Sequence, residues 1–407
     1  MKPEAALHDW LSSQESRLLD LLEALVTTES HAANPAGVER AAGLVSDELA
    51  PLGFEFEASP SPSLPPEDHW LEDLFSPGVP YENLGHTYAA SSTGTSPGRL
   101  LLLGDLDTAF PTGTLDSVPY RIVDGKAFGP GIADMKGGLV VLIAALQAID
   151  QLGLKRPDAT VVLAGDEQAG SLGSRPVIER EGIGADWCLC VECARRGGKL
   201  MVARGHIGVG TLTVSGREAH TGSARAEGIN ALEALAHLVL QLNALTDPPA
   251  GTLVTVTIAS AGRRRSIVPA TAIATVDIRT RSPGAWEAVT TQMDSVVAEV
   301  GERTGTVIDL RTYNHRPGVA RNQATDALLQ LARSVGSELS IELDVFESAA
   351  AGSTAFRPPD TPTLDGLGPL GSGLMTTEEH IEIDSLAPRA ALLAGLISRL
   401  TASPDPN

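Results

Sequence analysis

Three apolar runs, at 101–105, 159–165 and 187–192, alternate with two helical patterns, at 137–152 and 171–181. No other feature limits the possible folds as strongly. A strand followed by a helix and then another strand is the βαβ pattern of a mainly parallel sheet with helices on both faces. The chain therefore reads as an α/β protein, and ligands of such sheets gather beyond the carboxyl ends of the strands. Ahead of this run, residues 12–29 and 36–51 read as amphipathic helices, because Leu18, Leu19, Leu22, Leu25 and Val26 make a helical stripe. A short strand is expected at 54–57. The next stretch, SPSPSLPPEDHWLEDLFSPGVP, is rich in Pro and Ser, which neither continue a helix nor sit in a central strand. It reads as a long loop or lid.

From about Gly205 the pattern changes. GVGTLTVSG is a strand, NALEALAHLVLQLNAL a helix, TLVTVTIAS and TAIATVDIRTR strands, and GAWEAVTTQMDSVVAEVGERT a second helix. This β-α-β-β-α run is a compact α+β unit. With 407 residues the chain exceeds the roughly 250–300 residues at which single cores stop growing. We therefore expect two domains: an α/β domain over 1–204 and 316–407, and an inserted α+β domain over 205–315. A helix near 324–335, the loop AAAGSTAFRP and a helix near 386–401 complete the first, and the tail ASPDPN reads as frayed.

The formal net charge of −21 argues against nucleic acid or an anionic membrane as partner. No run of eighteen apolar residues and no basic N-terminal stretch with an apolar run is present, so the default location is cytoplasmic. Cys188, Cys190 and Cys193 all lie in DWCLCVECAR, which argues against a disulfide framework and suits a reducing compartment. Their spacing suggests a metal clip, but Cys188 and Cys190 share one face of an apolar strand, where buried Cys is ordinary packing.

The chemistry concentrates between 101 and 138. Side chains alternate along a strand, so the run 101–103 delivers Asp105 and Asp107 to one side of the backbone. A glycine-rich turn at 129–131 then presents Asp134 and runs through Lys136, Gly137 and Gly138 into an apolar helix. Taken with GDLDTAFPTGTL and GPGIADMKGG, the segments AGDEQAGSLGSR, SGREAHTGSARAEGINAL and GLGPLGSG resemble the two-zinc amidohydrolases typified by glutamate carboxypeptidase, acetylornithine deacetylase and succinyl-diaminopimelate desuccinylase. The resemblance runs nearly end to end.

It implies that the inserted domain is a lid and dimerisation domain, and that the chain forms a homodimer. It also implies a site in which two metals hold a hydroxide and a Glu shuttles the proton. Glu167 matches that Glu, Asp107 the Asp that orients the first ligand, Asp134 the bridging carboxylate, and Glu192 a terminal ligand. Three positions depart: Asp105 stands where the resemblance implies a His ligand, Gln168 where it implies a Glu, and Met375 where it implies a late His. Asp105 hardens its position, Gln168 removes a charge, and Met375 is a poor ligand for a hard ion, so an ordinary zinc pair is not expected. An oxygen-rich set favours Mn, Mg or Ca over Zn, leaving the cofactor open between one divalent metal and none. His380, five residues after Met375, could supply an imidazole. For substrate, His220 matches a histidine that reaches the partner subunit's site and stabilises an oxyanion. Arg279 matches an arginine that grips a carboxylate, Ser266 stands where Asn is common, and Gly352 and Ser353 lie in the matching glycine-rich loop. Taken alone, Arg279 pairing with a structural Asp and His220 capping a turn are the plainer roles. Arg263, Arg264 and Arg265 read as a solvated hairpin turn or as a holder for an anionic substrate tail.

Three functions remain open on this reading. The first is an amide-bond hydrolase acting on a small carboxylate-bearing N-acyl amino acid or dipeptide with a non-standard or single metal. The second is a metal-independent enzyme for acyl transfer, condensation or proton transfer, and the third a non-catalytic binder of such a metabolite.

Overall fold

The computed structural model describes residues 3–194, 197–281, 283–348 and 350–401. They form two compact units: Met1–Val202, Arg321–Phe346 and Phe356–Asn407 in the first, Ala203–Ala320 and Glu347–Ala355 in the second. The 347–355 segment, which holds Gly352 and Ser353, thus goes with the second unit, whereas the sequence reading left it with the first.

The first unit is built on a six-stranded sheet in the order Glu57–Ser59, Thr87–Ser92, Asp158–Ala164, Arg99–Asp105, Trp187–Cys190, Thr363–Leu364. The pairings from Asp158–Ala164 onward are parallel, and the two outer ones at the other edge are antiparallel. Leu100, Leu101, Leu102 and Leu103 are all buried, so alternation along the strand means that both faces are covered. Helix Gly137–Gln151 is buried over most of its length, and helix Leu386–Arg399 packs along it. Residues 132–151 are long and apolar enough to cross a membrane, but 89% of that window is buried inside the fold, as befits a core helix. From Arg99–Asp105 the chain goes first to the strand on one side and later to the strand on the other. That reversal opens a crevice at the strands' carboxyl ends.

Several elements differ in extent from expectation. The helix expected from 171 begins at Ser174, because residues 166–173 are wound about the Asp166 carboxylate, which accepts hydrogen bonds from Gly173 N (2.7 Å) and Ser174 N (3.2 Å). The expected 54–57 strand forms as Glu57–Ser59, while Phe54 is buried. The Pro- and Ser-rich segment carries helix His69–Phe75 and two single-turn helices, Pro66–Asp68 and Tyr81–Asn83. All three cysteines are buried and outside any disulfide.

The second unit is a four-stranded antiparallel sheet ordered Leu253–Ala261, Thr271–Thr280, His206–Ser215, Val307–Arg316. Helices Ala231–Asn243 and Pro283–Thr304 cover one face around Leu235, Leu238, Val276, Ile278 and Met293. The last strand, VIDLRTYNHR, extends the β-α-β-β-α reading by one element. It lies at a sheet edge, where charged side chains are tolerated and the apolar signal is weak.

Candidate active site

Asp105 closes its strand beside Ala164, and Val191 N donates to Leu103 O at 3.2 Å, so the chain segments carrying Asp105, Glu167 and Glu192 leave adjacent parallel strands at one edge. The Asp107 carboxylate binds across this edge, accepting from Glu167 N (2.9 Å) and Gln168 N (2.8 Å). Two backbone donors in one carboxylate fix the turn that carries both side chains. Gln168 Nε2 then donates to Glu167 Oε2 at 2.8 Å. Burial, followed by the charges of Glu167 and Asp166, pushes the Asp107 carboxyl well above the usual carboxylate range.

A second arm comes from the glycine-rich turn. Glu379, buried at 1% exposure, accepts from Ala133 N (2.8 Å) and Asp134 N (3.0 Å) through Oε1 and from Met375 N (3.1 Å) through Oε2. It clamps the Asp134 loop to the loop of Met375, and burial raises its pKa. Lys136, also fully buried, donates to Thr28 O at 2.7 Å, with Glu379, Glu29 and Asp107 as its charged neighbours. Burial brings its ammonium down to about 7. Gly138 lets the helix begin against the sheet, since a Cβ there would stand 1.9 Å from Val191 O.

Asp105 and Glu192 are buried and Asp134 half-buried, as befits groups at a closed strand edge. Met375 is 55% exposed and holds φ of 61°, the left-handed region. His380 does not fill the imidazole gap. Its Nδ1 lies 2.8 Å from Glu378 O and its Nε2 3.2 Å from Lys126 Nζ, and its ring packs beside Phe128 on a separate small sheet.

The remaining expected residues belong to the second unit. His220 Nδ1 accepts from Gly222 N and Ser223 N, both at 3.1 Å, so the ring caps a turn through that nitrogen. Thr221 N donates to Ser266 O at 3.0 Å, which brings Ser266 beside His220. Arg279 forks onto Asp277 through Nε (2.8 Å) and Nη2 (3.3 Å), so that edge of its guanidinium is taken by a neighbour on its own strand. Arg263 pairs with Glu218 at 2.7 Å, and both line a cavity of about 340 Å³ with Arg264 and Ile267.

Residues 101–399 match the model of the Peptidase family M20/M25/M40. The chain belongs to that family. It is 28% identical over 408 residues to carboxypeptidase G2 of Pseudomonas sp. (strain RS-16), covering 98% of this chain and 93% of the relative. Acetylornithine deacetylase of Proteus mirabilis (strain HI4320) is 26% identical over 238 residues, 56% of this chain and 55% of that enzyme. Among solved structures, aminopeptidase PepT of Bacillus cereus superposes with a TM-score of 0.75 at 18% identity, covering 94% of this chain and 98% of that one. A metallo-carboxypeptidase of the M20 family from Sulfolobus solfataricus does so with 0.72 at 14% identity, over 94% and 98%. At such identities the likeness is one of fold.

The donors present in this M20 chain do not fit an imidazole-bound zinc pair. Asp105, Asp134 and Glu192 offer carboxylate oxygen only, Gln168 has a neutral amide oxygen while its N–H donates to Glu167, and Met375 is 55% exposed. Among the described residues a further group, Cys190, Glu192 and Asp365, has its ligand-type atoms within 4.8 Å of one another, all buried. It arises from the parallel register of Thr363 on Cys188, which carries Asp365 alongside Cys190 two residues on.

Glu379, Lys136 and Asp365 are the site's residues that the sequence reading left without a role. Lys136 carried a signal, a lone cation directly before two glycines and a largely apolar helix, where burial follows once the helix is in the core.

Proposed function

We propose that the chain hydrolyses an amide bond in a small carboxylate-bearing N-acyl amino acid or dipeptide, with one hard divalent ion in place of a zinc pair. The observation that supports it most is the Glu167 carboxylate, held at the sheet edge by Asp107 through the backbone and by Gln168 through its side chain. A carboxylate fixed in this way can take a proton from water and deliver it to the leaving nitrogen. Asp105, Asp134 and Glu192 are the residues that would hold the ion, which supplies Lewis-acid polarisation of the carbonyl and a more acidic water. Glu379 keeps Asp134 in place through the two backbone bonds. Arg279 and His220 are the substrate-facing candidates, for a carboxylate and a developing oxyanion.

The second unit supports a homodimer. Its edge strand Leu253–Ala261 exposes Leu253 and Ile258, and the neighbouring helix Ala231–Asn243 exposes Leu232 and Leu240. An apolar, unpaired strand edge is a surface that proteins otherwise blunt.

The test is turnover of a panel of N-acyl amino acids and dipeptides with Mn²⁺, Mg²⁺, Ca²⁺ or Zn²⁺ added, with and without EDTA. We expect hydrolysis that EDTA removes, and a loss of at least ~100-fold in kcat in Glu167→Gln. Full activity in chelator, or in Glu167→Gln, would overturn the reading.

A further inference from the structure

The connection between the antiparallel neighbours Glu57–Ser59 and Thr87–Ser92 runs through residues 60–86, where roughly two to five residues suffice for a hairpin. The extra chain does not trail over the surface. It folds into a strap that packs on the turn between Asp158–Ala164 and Ser174–Glu181, the turn that carries Glu167 and Gln168. Tyr81, fully buried, donates its hydroxyl hydrogen to Asp166 Oδ2 at 2.6 Å and accepts from Leu172 N at 2.7 Å. Phe75 lies on Gly170, where φ is 96° and a Cβ would stand 2.6 Å from the ring. Ser61 abuts Gly173 in the same way, and its hydroxyl donates to Gly85 O at 3.0 Å, closing the two ends of the strap on each other. The strap is stiffened from within by Tyr81 N donating to Glu72 Oε1 at 2.9 Å.

The turn is therefore held from two directions. On the sheet side Asp107 binds Glu167 N and Gln168 N, and on the outer side Tyr81 binds the Asp166 carboxylate that also gathers Gly173 N and Ser174 N. Asp166 precedes Glu167 directly, so rotation of one moves the backbone of the other. We infer that the 60–86 strap is a positioning element for Glu167 and Gln168, acting through Tyr81 and Asp166. Tyr81 is a positioning residue rather than a catalytic one. The inference rests on the reading of Glu167 as the proton carrier, because a displacement of about 1 Å in such a group costs on the order of 100-fold in rate.

The experiment uses the full chain. Tyr81→Phe keeps the ring and removes the hydroxyl, while Phe75→Ala loosens the strap without leaving a backbone N–H unpaired. Each is compared with wild type in substrate turnover and in amide hydrogen exchange. We expect kcat in Tyr81→Phe to fall about ten- to a hundredfold with KM within about twofold, and exchange at residues 167–172 to quicken about tenfold or more while 137–151 stays protected. Phe75→Ala should shift both in the same direction by less, and it carries the test if Tyr81→Phe does not fold. Unchanged exchange at 167–172 in both variants would overturn the strap, and so would faster exchange with unchanged kcat. If wild type turns over no substrate, the hydrolase reading fails by itself and the exchange data still decide whether the strap holds the turn.

Discussion

Two glycine-to-alanine substitutions, both in helices, should change stability in opposite directions. In an unconstrained helix interior the change is worth roughly 0.5–1 kcal/mol in favour of alanine, through the lower entropy of the unfolded chain. Gly43, inside helix Pro35–Leu49, has nothing within 4 Å of the position a Cβ would take, so Gly43→Ala should stabilise by about that much. Gly138, inside helix Gly137–Gln151, would place its Cβ 1.9 Å from Val191 O. Contacts under 3.0 Å are essentially never seen, so helix and strand must separate by at least 3.0 − 1.9 = 1.1 Å. The obstacle is backbone, which cannot swing aside as a side-chain end could. Overpacking of this kind costs about 1–3 kcal/mol or more, outweighing the entropic gain. Val191 precedes Glu192, and Gly138 lies four residues after Asp134, so the shift should also pull these carboxylates apart and lower turnover about 100-fold. Urea unfolding of the two variants and wild type, followed by circular dichroism, measures both effects on stability. A Gly138→Ala protein as stable as wild type would refute the close approach of this helix to the strand end, and with it the geometry of the site.

Lys136 provides a pH test. Its folded pKa of about 7 lies below the ordinary 10.5, so between those values the unfolded chain binds more protons and stability must rise with pH. At about 1.4 kcal/mol per pH unit the full gap is on the order of 5 kcal/mol, so Lys136→Met should remove a large part of the rise in urea midpoints from pH 7 to pH 9.5. Parallel curves for the two proteins would show that the lysine is not buried as a cation among Glu379, Glu29 and Asp107. At the edge strand, Ile258→Lys should convert a homodimer into a folded monomer, read by light scattering after size exclusion, since Ile258 is 61% exposed in the single chain. Wild type eluting as a monomer at micromolar concentration would sink the dimer.

Much of the architecture was legible because its signals are local. The run Leu100 to Leu103 is apolar without interruption, and Gly129 to Gly131 can only be a turn, so Asp105, Asp107 and Asp134 could be placed at element ends by counting residues. The charged strand Val307–Arg316 was not legible, because an edge strand need not be apolar. Nor was the helix inside the Pro-rich segment, where seven residues, His69–Phe75, fold only because Leu71 is buried by neighbours. Arg279 and His220 were matched by motif, and their pairing with Asp277 and with two backbone N–H groups depends on how strand and turn bend locally.

By itself the sequence determined the alternation of strands and helices over 101–192, the presence of an inserted α+β unit and the concentration of acids at 105–192, since each follows from spacing along the chain. Only the tertiary structure decided what those acids do to one another. Asp107 meets the amides of Glu167 and Gln168 sixty residues away because strands Arg99–Asp105 and Asp158–Ala164 are neighbours in parallel register. Glu379 reaches Asp134 across a still longer interval of chain, and Tyr81 reaches Asp166 only because the strap folds back over the turn. Hydrogen bonds of this kind are set by which elements become neighbours in space, and no local pattern of residues records that.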